Sequence, residues 1–380
     1  MITSLPLLLA GCAAPDTNQV FNNVQVQSFT ESDGGQQVID AFIDGALSAE
    51  SDLAVLLPGL ENMELAQVLI QAHESGVPVA VASDVDSSDD AGILALLDAG
   101  VPVSLGDGAV AYFEFSLNED VSWDSSQVRM THNVMVIDRT HVLNTSSLEP
   151  GDGFRWLFDS TSRDLSYDLD IEHNQIFGGS DASSMTAYDS LAKSVADNRW
   201  IYGMQSDEHL EVWLGPQERL IKRIVDATYG ARASIYVLTD DFMDEGLAVA
   251  LGAKYADGFD VQVVVGPNFK ENERALSNNL EESGVPVTQL PAGTVVPTLV
   301  LIDTQIDERG TWNTAKAMCL SHDIVSASRL YRAAPVLSDQ LMDGSMWVLN
   351  DYDSPDSEDT AQMGALIALW EDALSRSGGL

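Results

Sequence analysis

Apolar residues along this chain fall into short runs of two periods. Residues 24–29 alternate and read as a strand. Val38, Ile39, Phe42, Ile43, Ala46 and Leu47 then recur at helical spacing and predict an amphipathic helix. Residues 53–57 are a continuous apolar run, the pattern of a strand buried on both faces. A helix over 63–73 stopping near Gly76, a strand over 77–81, a helix over 91–97 and the run Gly100-Val101-Pro102-Val103 follow. Strands alternating with helices predict an α/β chain with a largely parallel sheet covered on both faces. Within 129–148, Val134 to Ile137 and Val142-Leu143 read as two strands joined by the turn Asp138-Arg139-Thr140.

The pattern then repeats. Leu220, Ile221, Ile224, Val225, Thr228 and Tyr229 each follow their partner in the first helix at one constant offset. The same offset carries Leu53 to Ile235 and Val77 to Phe259, and Gly284-Val285-Pro286-Val287 follows Gly100-Val101-Pro102-Val103 at nearly the same one. A second Asp-ended strand, Val295 to Ile302 with Asp303, follows the first at a distinctly shorter offset. The first half therefore carries extra chain holding Tyr112-Phe113-Glu114-Phe115 and Trp123, expected as a loop or hairpin. A repeat of this length predicts two copies of one domain, 24–204 and 205–380, with a helix over 182–195 before the junction and another over 360–374 at the end. The acidic stretch 351–359 reads as a loop.

Charge narrows the function. The 380 residues hold 59 acidic against 18 basic side chains, a net charge of −41. Such a field repels phosphate, so no nucleic-acid partner is expected. It fits solubility first, in a salty habitat for example, and after that cation binding or a basic partner. Cys12 and Cys319 make no disulfide framework, and Cys319 sits in an apolar run as a small core residue.

Residues 1–12 form an apolar run ending Leu9-Ala10-Gly11-Cys12, which resembles a bacterial lipoprotein signal. The resemblance implies that Cys12 is the acylated first residue of a mature, lipid-anchored envelope protein, with 13–23 as its tether. No Lys or Arg precedes the run, and nothing else is apolar enough to span a bilayer.

Two α/β copies, each with an apolar strand capped by Asp, resemble the tandem phospholipase D-like superfamily. That resemblance implies two α/β/α sandwich domains about a pseudo-twofold axis, a monomer with an internal pseudo-dimer. It also implies a His-x-Lys-x4-Asp motif per copy, one His as nucleophile, the other as acid, and lysines holding the phosphate. Counting back from Asp138, the His and Lys positions hold Thr131 and Asn133. From Asp303 they hold Val296 and Thr298. The family's Gly-Ser-x-Asn turn becomes Thr145-Ser146-Ser147-Leu148 and Leu320-Ser321-His322-Asp323. Glu172 is expected to keep an acidic position that Ser345 replaces in the second copy. His132 stands one residue late, and alternation along a strand turns it to the opposite face unless a bulge intervenes. His322 could face the same cleft.

The loop Asp84-Val85-Asp86-Ser87-Ser88-Asp89-Asp90 has calcium-like spacing but lacks the central Gly and distal Glu, so no metal or cofactor is expected. Gly106-Asp107-Gly108 and Gly178-Gly179 read as turns, not phosphate cradles. The expected function is a catalytically inactive, envelope-bound binding or scaffold protein with an unidentified protein or phospholipid partner. The alternatives are a phosphodiesterase with a rearranged site using His132 and His322, and a cation-binding surface protein.

Overall fold

A computed structural model describes residues 24–30, 33–106, 129–177, 199–202, 208–215, 218–242, 244–267, 269, 280, 282–304, 315–324, 342–351 and 361–379. Cys12 with its leader and tether, the aromatic insertion at 112–123, Gly178-Gly179, the helix expected over 182–195 and the acidic stretch 352–359 lie outside them.

The first half runs β1 (Val24–Phe29), α1 (Gly34–Ser48), β2 (Leu53–Leu57), α2 (Met63–Glu74), β3 (Val79–Asp84), α3 (Ala91–Asp98), β4 (Val103–Gly106), β5 (Arg129–Met130), β6 (Val134–Ile137), β7 (His141–Thr145), β8 (Arg155–Ser160) and α4 (Arg163–Phe177). The second runs β9 (Arg199–Tyr202), β10 (Glu208–Leu214), α5 (Leu220–Gly230), β11 (Ser234–Thr239), α6 (Glu245–Ala256), β12 (Asp260–Val265), β13 (Val287–Gln289), β14 (Thr298–Ile302), β15 (Ala315–Leu320), β16 (Met342–Asp343), β17 (Ser345–Asp351), α7 (Ala361–Arg376) and β18 (Gly378–Gly379).

The first sheet has strand order β1-β8-β7-β6-β2-β3-β4. The second contains β10-β17-β15-β14-β11-β12-β13, the same order, extended by β9 at one edge and β18 at the other. In each, three strands are parallel (β2-β3-β4 and β11-β12-β13) and the Asp-ended hairpin joins antiparallel. The sheets are therefore mixed rather than largely parallel.

The duplication extends to single capping groups. Asn62 and Asp244, equivalent positions of the repeat, cap α2 and α6 by accepting the N–H of Leu65 and Leu247. Both helices end before a left-handed glycine, Gly76 (φ 94°) and Gly258 (φ 87°), where a side chain would be strained.

Three apolar clusters stack in layers. One joins α1, α2 and α3 to the first sheet, and another joins α5 and α6 to the second. The third lies between the sheets and takes residues from both halves. Phe158 of β8 packs on Trp347 of β17, centroids 5.0 Å apart, and Trp370 of α7 stacks on Tyr236 of β11 at 5.2 Å. Each fully buried side chain of this size stabilises by roughly 1.5–3 kcal/mol, so the shared core makes the halves one unit. The Cys319 thiol belongs to it, and burial pushes its pKa up.

Backbone also joins the halves. β5 pairs parallel with β16, Met130 opposite Asp343, and Gly153 pairs parallel with Val295. Met130 and Val295 are equivalent in the two copies, each directly before the position where the resemblance places a histidine. The two bridges are thus pseudo-twofold mates. No helix among the described residues is long and apolar enough to cross a membrane.

Candidate functional site

Asp138 and Asp303 end β6 and β14 in left-handed geometry, φ 51° and 55°. Asp138 accepts the N–H groups of Glu50, Ser51 and Asp52 and the Ser51 hydroxyl at 2.6–3.1 Å. Asp303 accepts those of Arg232, Ala233 and Ser234 at 2.7–3.2 Å. The two carboxylates clamp the same turn, the one entering β2 and β11. Burial raises the Asp138 pKa, but its hydrogen bonds outweigh that and hold it below the ordinary value. Neither aspartate is among the residues lining the cleft, so their hydrogen bonds serve the fold.

The cleft lies at the opposite ends of these strands. A cavity of about 930 Å³ is lined by Thr131, Asn133, Ser146, Asp84, Glu61 and Glu149, with Leu60, Met63 and Met130 as an apolar wall. A second, about 400 Å³, is lined by Val296, Thr298, Ser321, His322, Asp323 and Asp240. Ser146, Ser147, Glu149 and Ser321 line both, so the two meet across the pseudo-twofold. The four positions counted back from Asp138 and Asp303, Thr131, Asn133, Val296 and Thr298, all line this cleft. No Lys or Arg is among its described lining residues.

Ser146 and Ser321 play one role in the two copies. Each backbone N–H donates to the next strand, to Trp156 and Ser345, and each hydroxyl accepts that residue's N–H in return. Ser345 therefore corresponds to Trp156. The expectation that Ser345 replaces Glu172 is corrected: Glu172 belongs to α4, whose counterpart is α7, whereas Ser345 opens a strand.

Thr131 to Asn133 form irregular backbone between β5 and β6. Thr131 Oγ1 lies 3.2 Å from Ser321 Oγ across the halves. His132 turns away from the cavities, is fully buried, and places Nε2 3.5 Å from Glu172 Oε1. His322 lines the smaller cavity and uses Nδ1 on the Asp323 carbonyl at 2.7 Å. Burial first, and the nearby His132 in addition, lower its pKa to about 4. Gly344 fits between these groups: a Cβ there would lie 2.3 Å from Thr131 Oγ1 and 2.5 Å from Ser321 Oγ.

The sequence reading missed a carboxyl cluster. Asp240 and Asp241 follow β11 and crowd Asp323, whose pKa burial and these two charges raise to about 7. The Thr239 and Thr298 hydroxyls stand 3.4 and 3.5 Å from Asp323 Oδ1. The signal was the polar Thr239-Asp240-Asp241 at the end of a fully buried strand, where the first copy has Leu57-Pro58-Gly59. In the Asp84 loop, Asp84 accepts the N–H of Asp86 and Met130, and Asp90 that of Leu60.

These buried groups set a pH dependence. His173 and His322 have folded pKa values of about 4, below 6.5 for an open chain. Their contribution is complete above pH 6.5 and lost as pH falls to 4, at most roughly 3 kcal/mol each. Asp323, raised from 3.8 to about 7, acts oppositely, its cost growing as pH rises through that window. The two imidazoles drive stability up from pH 4.5 to 6.5, while Asp323, with Asp240 and Asp170 whose pKa values burial also raises, pulls it down. Melting curves should show Asp323→Asn more stable than wild type at pH 7.5, with a steeper rise; a flat profile in both would contradict the assignment.

No family model and no curated protein matches the sequence. Its fold is nonetheless shared. The chain is similar to the phosphatidylserine synthase of Haemophilus influenzae Rd KW20, with a TM-score of 0.61 at 10% identity over 96% of this chain and 90% of that one. It is similar to the polyphosphate kinase of Porphyromonas gingivalis, with a TM-score of 0.54 at 11% identity over 97% of this chain and 50% of that one. Nuc from Salmonella typhimurium, a phospholipase D family member, aligns with 46% of this chain and 98% of itself at 13% identity and a TM-score of 0.35. At such identities the likeness to the synthase and the kinase shows the fold alone: two tandem α/β domains packed about a pseudo-twofold axis.

Proposed function

We propose that this chain is a non-catalytic binding or scaffold protein built on the tandem phospholipase D-like fold and held at a bacterial envelope through Cys12. One observation carries the loss of catalysis. The cleft has Thr131, Asn133, Val296 and Thr298 where the fold's chemistry needs two histidines and two lysines, and carboxyl groups around them. Phosphoryl transfer gathers negative charge in the transition state, and donors or cations aimed at that charge supply several kcal/mol. Here the described lining repels it.

A second reading, a phosphodiesterase with a rearranged site, draws on one observation: His132, beside Glu172, lies close enough to His322 to lower its pKa. Both imidazoles are buried, however, and His132 does not line the cleft.

Hydrolysis assays on vesicles of phosphatidylcholine and cardiolipin separate the readings. The expected outcome is release at the rate of protein-free vesicles. Turnover abolished by Thr131→Ala or His132→Ala would overturn the non-catalytic reading.

A further inference from the structure

We propose that the smaller cavity of the cleft binds a primary alkylammonium group, with the ligand's methylene chain running into the larger cavity. The inference rests on the non-catalytic reading of the cleft and names the ligand class.

Two independent observations support it. The first is the supply of acceptors. Asp240, Asp323 and Glu149 line the cavity together with the hydroxyls of Ser146, Thr294, Thr298 and Ser321. Asp240 is held in place, since Gly266 leaves room for its carboxylate where a Cβ would lie 1.6 Å from Oδ1. Burial, Asp241 and Glu149 all raise the Asp240 pKa, so the negative potential there lacks a counter-charge among the described groups.

The second is His322. Its side chain is more than nine-tenths buried and lines this cavity. Nδ1 donates to the Asp323 carbonyl, which leaves Nε2 as the lone-pair nitrogen of a neutral ring, without a partner among the described residues. A lone pair beside carboxylates and hydroxyls calls for a compact donor. An ammonium offers three N–H donors and a full positive charge, whereas a guanidinium needs a planar, two-point match. Among the described residues no group of three or more His, Cys, Asp and Glu could hold a metal ion. Beyond Ser146 and Ser321 the cleft widens along Leu60, Met63 and Met130, an apolar wall against which methylenes can lie.

Calorimetry on the full chain at pH 7.5 tests this with cadaverine and spermidine. Tetramethylammonium is the control that keeps the charge without N–H donors, and Ca²⁺ the control for metal binding. Nα-acetyl-lysine amide tells a protein lysine from a free polyamine as the source of the ammonium. Saturable binding of cadaverine or of the lysine surrogate is expected, at least tenfold weaker in Asp240→Asn. Tetramethylammonium should bind at least tenfold more weakly than cadaverine. Should Asp240→Asn melt far below wild type, Thr294→Lys at the rim decides: its own ammonium should weaken cadaverine binding at least tenfold. Equal affinity in the folded variants, equal affinity for tetramethylammonium, or preferential Ca²⁺ binding overturns the inference. Absence of amine binding without phosphodiester turnover overturns it and leaves the non-catalytic reading standing; turnover overturns that reading instead.

Discussion

Asp303→Ala should lower stability by about 3–5 kcal/mol, a loss of buried charge-assisted hydrogen bonds rather than of a catalytic group. The carboxylate is fully buried and holds three consecutive backbone N–H groups, of Arg232, Ala233 and Ser234. Truncation leaves those donors without an acceptor at the entrance to β11, a central strand. It also places alanine at φ 55°, which asparagine tolerates and alanine does not. Asp303→Asn, which keeps one acceptor oxygen and suits that backbone, should therefore lose roughly half as much. Asp138→Ala should lose about 1–2 kcal/mol, because its site is partly open to water and water can replace the carboxylate. Denaturant titration of the three variants checks the order. Stability equal to wild type in Asp303→Ala would contradict the clamp.

Gly153→Ala should be the most damaging single methyl at the junction of the halves, costing about 3 kcal/mol. Gly153 has φ 149°, and a Cβ there would lie 2.2 Å from the Val295 carbonyl oxygen and 2.5 Å from its nitrogen. Both are backbone atoms of the opposite half, so no side chain can swing aside. The bridge carrying the Phe154-to-Val295 and Val295-to-Asp152 hydrogen bonds has to open. Val295 precedes Val296 and Thr298, so the second half of the cleft moves with it. A drop of several degrees in melting temperature with faster proteolysis is expected; an unchanged melting curve would show that the halves are not locked there.

Much of the scaffold is legible in the sequence alone. The repeat stands out because equal backbone geometry needs like residues: the apolar positions of α1 and α5, the strands buried on both faces, and the two Gly-Val-Pro-Val runs. Even the cleft positions Thr131, Asn133, Val296 and Thr298 can be placed by counting back from Asp138 and Asp303. What those aspartates do is not legible, because the turns they hold are remote in the chain. The same remoteness hides the contact of Thr131 with Ser321 and the crowding of Asp323 by Asp240 and Asp241. No local pattern reveals that Ser321 and Ser345 exchange the hydrogen bonds that Ser146 and Trp156 exchange in the first half, which is why Ser345 reads as the counterpart of Glu172. The mixed sheet escaped for a related reason: apolar runs such as residues 134–137 and 298–302 look alike whether their neighbour runs parallel or antiparallel.

The proposed absence of phosphodiester chemistry from the cleft is tested most directly by the rate of hydrolysis of bis(4-nitrophenyl) phosphate, for wild type beside the double variant His132→Ala, His322→Ala. If the hydroxyls, amide and carboxyls described here are all that remain, both traces should overlay the protein-free blank. A wild-type rate that falls a hundredfold or more in the double variant, the range for removal of an acid–base group, would show that the buried imidazoles still work on phosphodiesters.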